Sequence, residues 1–368
     1  MADDARTAKK LSSQTKRPRS LPTDASSAGG VGGRESSGAR GVGRKASAGR
    51  VGGRKASAGR VGGREAGSGR DGGESSAGRV GREPGPRLDV RKTYKLFIGG
   101  AFPRSESGRS YPVTSPGGAL LAYAALASRK DARDAVVSAR KAVAGWSGAT
   151  AYNRGQVLYR VAELLEGRAG QFAAEIVRSD GVGEERARQS VAGAIDRWVW
   201  YAGWPDKVAQ VAGAANQVAG PYFNFSVPEP TGVVAVIAPA EAGLLGLVSV
   251  LAPVIATGNT AVVVASGSGS LPAVTMSEVL ATSDVPAGVV NVLTGRTAEL
   301  APVLAAHMDV NAIDLTGVPG ADRADLERLA AGNVKRVFAK EEDWAAAPGP
   351  ARLLAFLETK TVWHPVGI

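Results

Sequence analysis

Between residues 231 and 340 the chain alternates short apolar runs with helical patterns, and this alternation restricts its possible folds more than any other feature. The runs VVAVIA (233–238), TAVVVA (260–265), VVNVL (289–293), NAIDL (311–315) and VKRVFA (334–339) have the length and β-branched composition of strands. Helical patterns lie between them, near residues 244–256, 271–283, 297–306 and 321–331. Strands that are apolar throughout need cover on both faces, so the pattern predicts an α/β fold, a Rossmann-type parallel sheet with helices on both sides. Such sheets take ligands at the carboxyl ends of their strands. The turns of interest are therefore 239–243, 266–270, 295–297 and 316–320.

Upstream, TYKLFIGGAF alternates and ends in Gly-Gly, which predicts a strand and a tight turn. Residues 131–144 have helical spacing, with Ala132, Ala135, Val136, Ala139 and Val143 on one face. A second helix is expected over 156–177 and a third over 184–203. The cluster Trp198, Trp200, Tyr201 and Trp204 on the third reads as packing, in the core or at a subunit contact. PYFNFSVPEP alternates aromatic and polar residues as a hairpin strand does. The longest apolar stretch, 243–257, contains Pro253 and suits a buried helix rather than a membrane span. The N-terminus has no apolar leader segment, so a soluble, cytoplasmic protein with no membrane partner is expected.

Charge divides the chain. The net charge is +11, but residues 1–92 carry 21 Lys and Arg against 9 Asp and Glu, leaving the remainder close to neutral. Residues 1–92 contain no aromatic residue, hold 20 of the 49 glycines and repeat a ten-residue unit: VGGRESSGAR, GVGRKASAGR, VGGRKASAGR, VGGREAGSGR. A segment so poor in apolar surface is expected to be a disordered basic tail. Its evenly spread arginines could clamp nucleic acid or another polyanion, although it has no aromatic for base stacking. GSGRDG at 67–72 fits G-x-G-x-x-G in letters only, because no strand precedes it and no helix follows.

Several stretches together carry a resemblance. KLFIGGAFPRSESGRSYPV, YAGWPDK, PEPTGVVAVIAP, GNTAVVVAS, VPAGVVNVLTG and HMDVNAIDLTG resemble, in order and spacing, motifs of the aldehyde dehydrogenases. The resemblance implies that family's cofactor-binding fold over residues 93–344. In the family the turn P-W-N supplies an oxyanion-hole Asn; here it reads Pro239-Ala240-Glu241. K-P-S-E, whose Lys and Glu hold the adenosine ribose, is here Val264-Ala265-Ser266-Gly267. The family's G-F-G is Gly295-Arg296-Thr297, and F-T-G-S is Leu315-Thr316-Gly317-Val318. Cofactor positions implied by the match are thus Ile237, Pro239, Ser266, Gly295, Thr316 and Gly317, a degenerate site. No cofactor is expected on balance, with NAD(P) as the alternative.

Catalytic groups are not matched. The family's general base in L-E-L-G-G falls at Lys340, with Glu341 one residue on, where a strand would turn its side chain to the opposite face. The chain has no Cys, so thiohemiacetal chemistry by the family's route is closed to it, and no catalytic residue is assigned. Two isolated histidines, His307 and His364, make no metal site. After Trp344, residues 345–368 read as a linker and a strand: Phe356 to Trp363 (FLETKTVW) resembles the family's C-terminal strand, which with the hairpin of PYFNFSVPEP serves oligomerisation. The family's catalytic domain is expected to be missing between them. The expectation is a catalytically inactive subunit that assembles with itself or with a full-length aldehyde dehydrogenase. The alternatives are an NAD(P)-dependent aldehyde oxidoreductase active only within a complex, and polyanion binding through the tail.

Overall fold

The computed structural model describes residues 90–340 and 342–367. The described residues all lie within the unit Arg82–Ile368. The expected tail at 1–92 lies outside the described residues except for its last three positions.

Three strands come first: β1 (Thr93–Tyr94), β2 (Ser110–Thr114) and β3 (Leu120–Ala125), in the order β1-β3-β2. Helices α1 (Arg129–Ser147), α2 (Ala151–Glu166), α3 (Ala169–Asp180), α4 (Glu184–Ala202) and α5 (Val208–Ala212) follow. Next are β4 (Ala214–Asn216) and β5 (Tyr222–Pro230). Strand and helix then alternate: β6 (Val233–Ile237), α6 (Gly243–Ala256), β7 (Thr260–Ala265), α7 (Ser270–Leu280), β8 (Val290–Thr294), α8 (Thr297–Ala306), β9 (Ala312–Asp314), α9 (Gly320–Ala331) and β10 (Arg336–Phe338). The chain closes with α10 (Ala351–Ala355) and β11 (Leu357–Pro365).

The expected parallel sheet is present, in the order β10-β9-β6-β7-β8. Successive side chains point to opposite faces, and each face has its own core. Val234, Val236, Val263 and Val292 pack on α6, α7 and the α2–α4 helices. Val233, Ala235, Ile237, Val264 and Leu293 pack on α1, α8 and α9. Every residue of β6 and β7 is buried, which accounts for their unbroken apolar sequence.

Three expectations need correction. The helix expected over 156–177 is two helices, α2 and α3, broken at Gly167 and Arg168. Glycine is a weak helix former, and the break lets Leu158, Val161 and Leu165 on one helix and Phe172 and Ile176 on the other all enter one core. The strand expected in TYKLFIGGAF is confined to Thr93–Tyr94; Phe97 and Ile98 make single bridges, and Gly99 and Gly100 turn the chain with φ of 62° and 78°. At the C-terminal end, Phe356 closes α10 and the strand begins at Leu357.

β11 lies antiparallel to β5 along its whole length, from Leu357 opposite Pro230 to Pro365 opposite Tyr222, and β4 completes a sheet of order β11-β5-β4. The segment leading into β11 is tied to the parallel sheet. Asn259, fully buried, accepts from the Gly232 N–H (2.7 Å) and donates to Thr257 Oγ1 and the Phe356 carbonyl (both 2.9 Å). The Thr231 N–H also donates to the Phe356 carbonyl, at 3.2 Å. Phe356 and Leu353 belong to the main core.

Candidate functional site

Strand order reverses between β6 and β9, so the crevice above their carboxyl ends is the topological switch point where such sheets take ligands. The structure brings Ile237, Pro239, Thr316 and Gly317 together there. The Gly317 N–H donates to the Ile237 carbonyl at 3.1 Å. A Cβ at Gly317 would stand 2.4 Å from the Ala238 carbonyl oxygen, so only glycine allows the two turns this close. Ser266 and Gly295 form a second group above β7 and β8. Thr297 Oγ1 donates to Ser266 Oγ (3.2 Å), and the Gly295 N–H donates to the Ala265 carbonyl (3.3 Å). Ile237, Pro239, Gly295 and Thr316 are buried, while Ser266 and Gly317 are half-buried. At the turn after β7, Ser266 to Gly269, no side chain carries a charge.

A residue the sequence reading missed dominates the switch point. Arg352, from α10, reaches under the carboxyl end of β9 and is 2% exposed. Its Nη1 donates to Asp314 Oδ2, and Nη1 and Nη2 lie 3.2 and 3.3 Å from Thr316 Oγ1. Glu342 Oε1 is 3.1 Å from Nη2. The guanidinium stacks over Phe338, 4.5 Å from the ring centre. Asp314 in turn accepts from the Thr316 N–H (2.9 Å) and hydroxyl (2.5 Å). Burial pushes the Asp314 carboxyl above its ordinary pKa range, and Arg352 and Thr316 pull against it. Tyr201, beside this network, is pushed up to about 12 by burial, so its phenol stays neutral. The signal for the pair was present in the sequence: an aspartate inside the apolar strand NAIDL must find a partner when buried. The partner's address, a short helix far along the chain, was not.

The remaining candidates are dispersed. Glu241 is exposed in the short turn Ala240–Ala242. Lys340 is exposed just beyond β10, and Glu341 lies outside the described residues. The carboxylate that the structure does place near the end of β10 is Glu342, committed to Arg352. Among the described residues no cluster of His, Asp or Glu could hold a metal ion, and no helix is long and apolar enough to cross a membrane.

Comparison with known proteins bears on this architecture directly. The model of the aldehyde dehydrogenase family matches residues 102–341. The chain belongs to the aldehyde dehydrogenase family. It is 31% identical over 257 residues to cytosolic 10-formyltetrahydrofolate dehydrogenase of Mus musculus, covering 68% of this chain and 28% of that protein. With retinal dehydrogenase 2 of Homo sapiens it shares 31% identity over 259 residues, 69% of this chain and 49% of the relative. Among solved structures, HpcC from Thermus thermophilus superposes with a TM-score of 0.64 at 30% identity, covering 68% of this chain and 48% of that one. An NAD+ complex of an aldehyde dehydrogenase from Bacillus cereus gives 0.63 at 25% identity, covering 67% and 50%. The chain thus spans about half or less of the length of the relatives it matches. The match ends at residue 341, and Arg352 and β11 lie beyond it.

Proposed function

We propose that this chain is a non-catalytic member of the aldehyde dehydrogenase family that works as a structural or regulatory subunit, joined to a second copy or to a full-length aldehyde dehydrogenase through the sheet β11-β5-β4. The supporting observation is the state of that sheet. It is ordered along all of β11, yet Trp363 and Tyr222 stand 58% and 44% exposed on one face and Phe223 53% exposed on the other. Aromatic groups left in water on both faces favour association. Among the described residues no strand pairs with the outer edge of β11, which leaves that edge open to a strand of another chain.

The switch point supports the non-catalytic half of the reading. The family is NAD(P)-dependent, and Ser266, Thr297 and the first-turn N–H groups of α9 are polar groups that remain for a dinucleotide. Against them, the Thr316 hydroxyl is already used by Asp314 and Arg352. The turn after β7 offers no charged hydrogen bond to a ribose, and each such bond contributes about 1.5–3 kcal/mol. Two absent ones weaken binding by about 100-fold or more. No thiol exists in the chain to attack a carbonyl. We therefore expect negligible NAD(P) affinity and no aldehyde oxidation from the chain alone.

The test is native mass measurement of the purified chain, alone and after co-expression with a full-length aldehyde dehydrogenase from the same cell. A stable homo- or hetero-oligomer that dissociates when Trp363 and Tyr222 are replaced by Ser supports the proposal. A chain that stays monomeric in both settings, or one that reduces NAD+ with an aldehyde unaided, defeats it.

A further inference from the structure

The small sheet β1-β3-β2 has one covered face and one open face. Tyr94, Val113, Ala122 and Ala124 pack on Leu271 and Val274 of α7. On the other face Thr93, Ser110, Pro112 and Tyr123 are exposed. Tyr123 stands on the middle strand, between Thr93 on β1 and Pro112 on β2, and is 38% exposed. It is the only aromatic on the open face of these three strands.

Cations border one end of this sheet. The loop 103–109 is seated between β1, β3 and the first turn of α1. The Leu96 N–H donates to the Pro103 carbonyl (3.1 Å) and the Leu126 N–H to the Arg109 carbonyl (2.9 Å). The Ser105 hydroxyl and the Glu106 N–H donate to Asp131, at 2.7 and 3.1 Å. This packing gathers Lys95, Arg104, Arg109, Arg129, Lys130 and Arg133 at the carboxyl ends of β1 and β3. All six are exposed, and among the described residues none is in an ion pair. The Asp131 carboxylate is buried and spent on Ser105, Glu106 and Ser128. Two exposed carboxylates share these segments: Glu106, which accepts the Ser128 hydroxyl, and Asp134. Six cations against two carboxylates is a local excess in a chain that is close to neutral beyond residue 92. Arg129 and Arg133, four apart on α1, are like charges on neighbouring positions, an arrangement that costs a helix stability. Local costs of this kind are kept at functional sites, and here an anion would offset it.

An exposed ring on an open sheet face, bordered by unpaired cations, has the two parts that single-stranded nucleic acid requires. The ring gives a base a π surface, and the cations give the phosphates a positive track. A duplex stacks its bases within itself and has only phosphates to offer. We propose that the open face of β1-β3-β2 binds single-stranded nucleic acid without sequence preference, with Tyr123 stacking on a base and Arg104, Arg109 and Arg129 meeting phosphates. The basic segment 1–92 has no aromatic for stacking; Tyr123 is such a residue on the sheet that follows it in the chain. The proposal depends neither on assembly through β11 nor on the contents of the switch point.

The test is fluorescence anisotropy on the full chain with three probes: an oligothymidylate of about 20 nucleotides, its duplex with oligoadenylate, and inorganic polyphosphate. Every variant keeps residues 1–92, so the attraction of that segment for phosphate is common to all. Arg104→Gln, Arg109→Gln and Arg129→Gln together should weaken oligothymidylate about tenfold at about 0.15 M salt. They should also lower the slope of log K against log salt by about 2, at about 0.7 per phosphate contact, and weaken polyphosphate too. Tyr123→Ala should weaken oligothymidylate about tenfold and leave polyphosphate unchanged, whereas Tyr123→Phe keeps the ring and should bind within about twofold of the unaltered chain. Circular dichroism checks the fold of each variant. Photocrosslinking of an iodouracil-bearing oligomer to the unaltered chain should label Tyr123, a readout that needs no substitution. Undetectable binding of oligothymidylate, equal affinity for the duplex, crosslinks only elsewhere, or folded variants that bind as the unaltered chain does would each overturn the proposal.

Discussion

The two larger sheets of this molecule differ in composition, one largely aliphatic and the other a mixture of aromatic and polar residues, and they end in opposite situations. In the parallel sheet, β6 and β7 bury every residue between two helical layers. In the antiparallel sheet, β11 buries only Leu357 fully and leaves Trp363 in solvent. A sheet face finds its free energy in what covers it, not in its own residues. The parallel sheet supplies its cover through the helices of each βαβ turn. Among the described residues the antiparallel sheet has only the short α5 against β5 and leaves Trp363, Tyr222 and Phe223 exposed, so a second polypeptide covers them or water does. The two sheets are linked through Asn259 and the Thr231 N–H at the Phe356 carbonyl, through the Arg352–Asp314 pair, and through the Arg336–Glu358 ion pair between β10 and β11.

That contrast can be broken or sharpened by substitution. The largest effect should come from Arg352→Ala, which leaves the buried Asp314 carboxyl without its partner and should cost about 3–5 kcal/mol in urea unfolding. Pairing it with Asp314→Ala should restore much of the loss; a double variant as unstable as the single one would place the cost in lost packing instead. Phe356→Ala opens a cavity in the main core and should cost about 3–5 kcal/mol, whereas Trp363→Ser on the free sheet should cost the isolated chain less than about 1 kcal/mol. Equal losses at the two positions would mean that the antiparallel sheet is covered within the single chain. Asn259→Ala strands buried hydrogen-bonding groups at the junction and should cost about 1–3 kcal/mol, read by faster amide exchange in β11 than in β7.

The smallest effect concerns pH. Burial holds His307 below its ordinary value of 6.5; Asp309 pulls against it, and Lys335, Arg133 and Arg140 each add a smaller push in the same direction as burial. The unfolded chain therefore takes up this proton more readily than the folded one. The contribution is fully present above about pH 6.5 and is lost as pH falls below it. His307→Asn keeps an acceptor for the Asp309 N–H and should flatten stability between about pH 7.5 and about pH 5.5. An unchanged slope would exclude His307 as its source.

The apolar strands and the helices between them were legible because burial on both faces leaves an unmistakable composition; β7 was bounded to the residue. β2, β3 and α10 left weaker traces, being short and partly exposed. Of the site, the meeting of Ile237 and Pro239 with Thr316 and Gly317 follows from topology, since β6 and β9 are neighbours and their ends must adjoin. The contents of that crevice were not legible. Arg352 is local to nothing it touches, and no pattern of spacing connects position 352 to position 314.

What the sequence alone determined is the class of the fold and the chemistry it lacks: alternating buried strands and helices compel a parallel sheet, and a chain without cysteine has no thiolate. What only the tertiary structure decided is where the polar groups go. The buried Asp314–Arg352 pair, the hold of Arg197 on the Trp344 and Ala346 carbonyls and the uncovered aromatics of β11 all arise from the tertiary arrangement of residues far apart in the chain. Such contacts are selected by the free energy of the assembled core, which local periodicity does not encode.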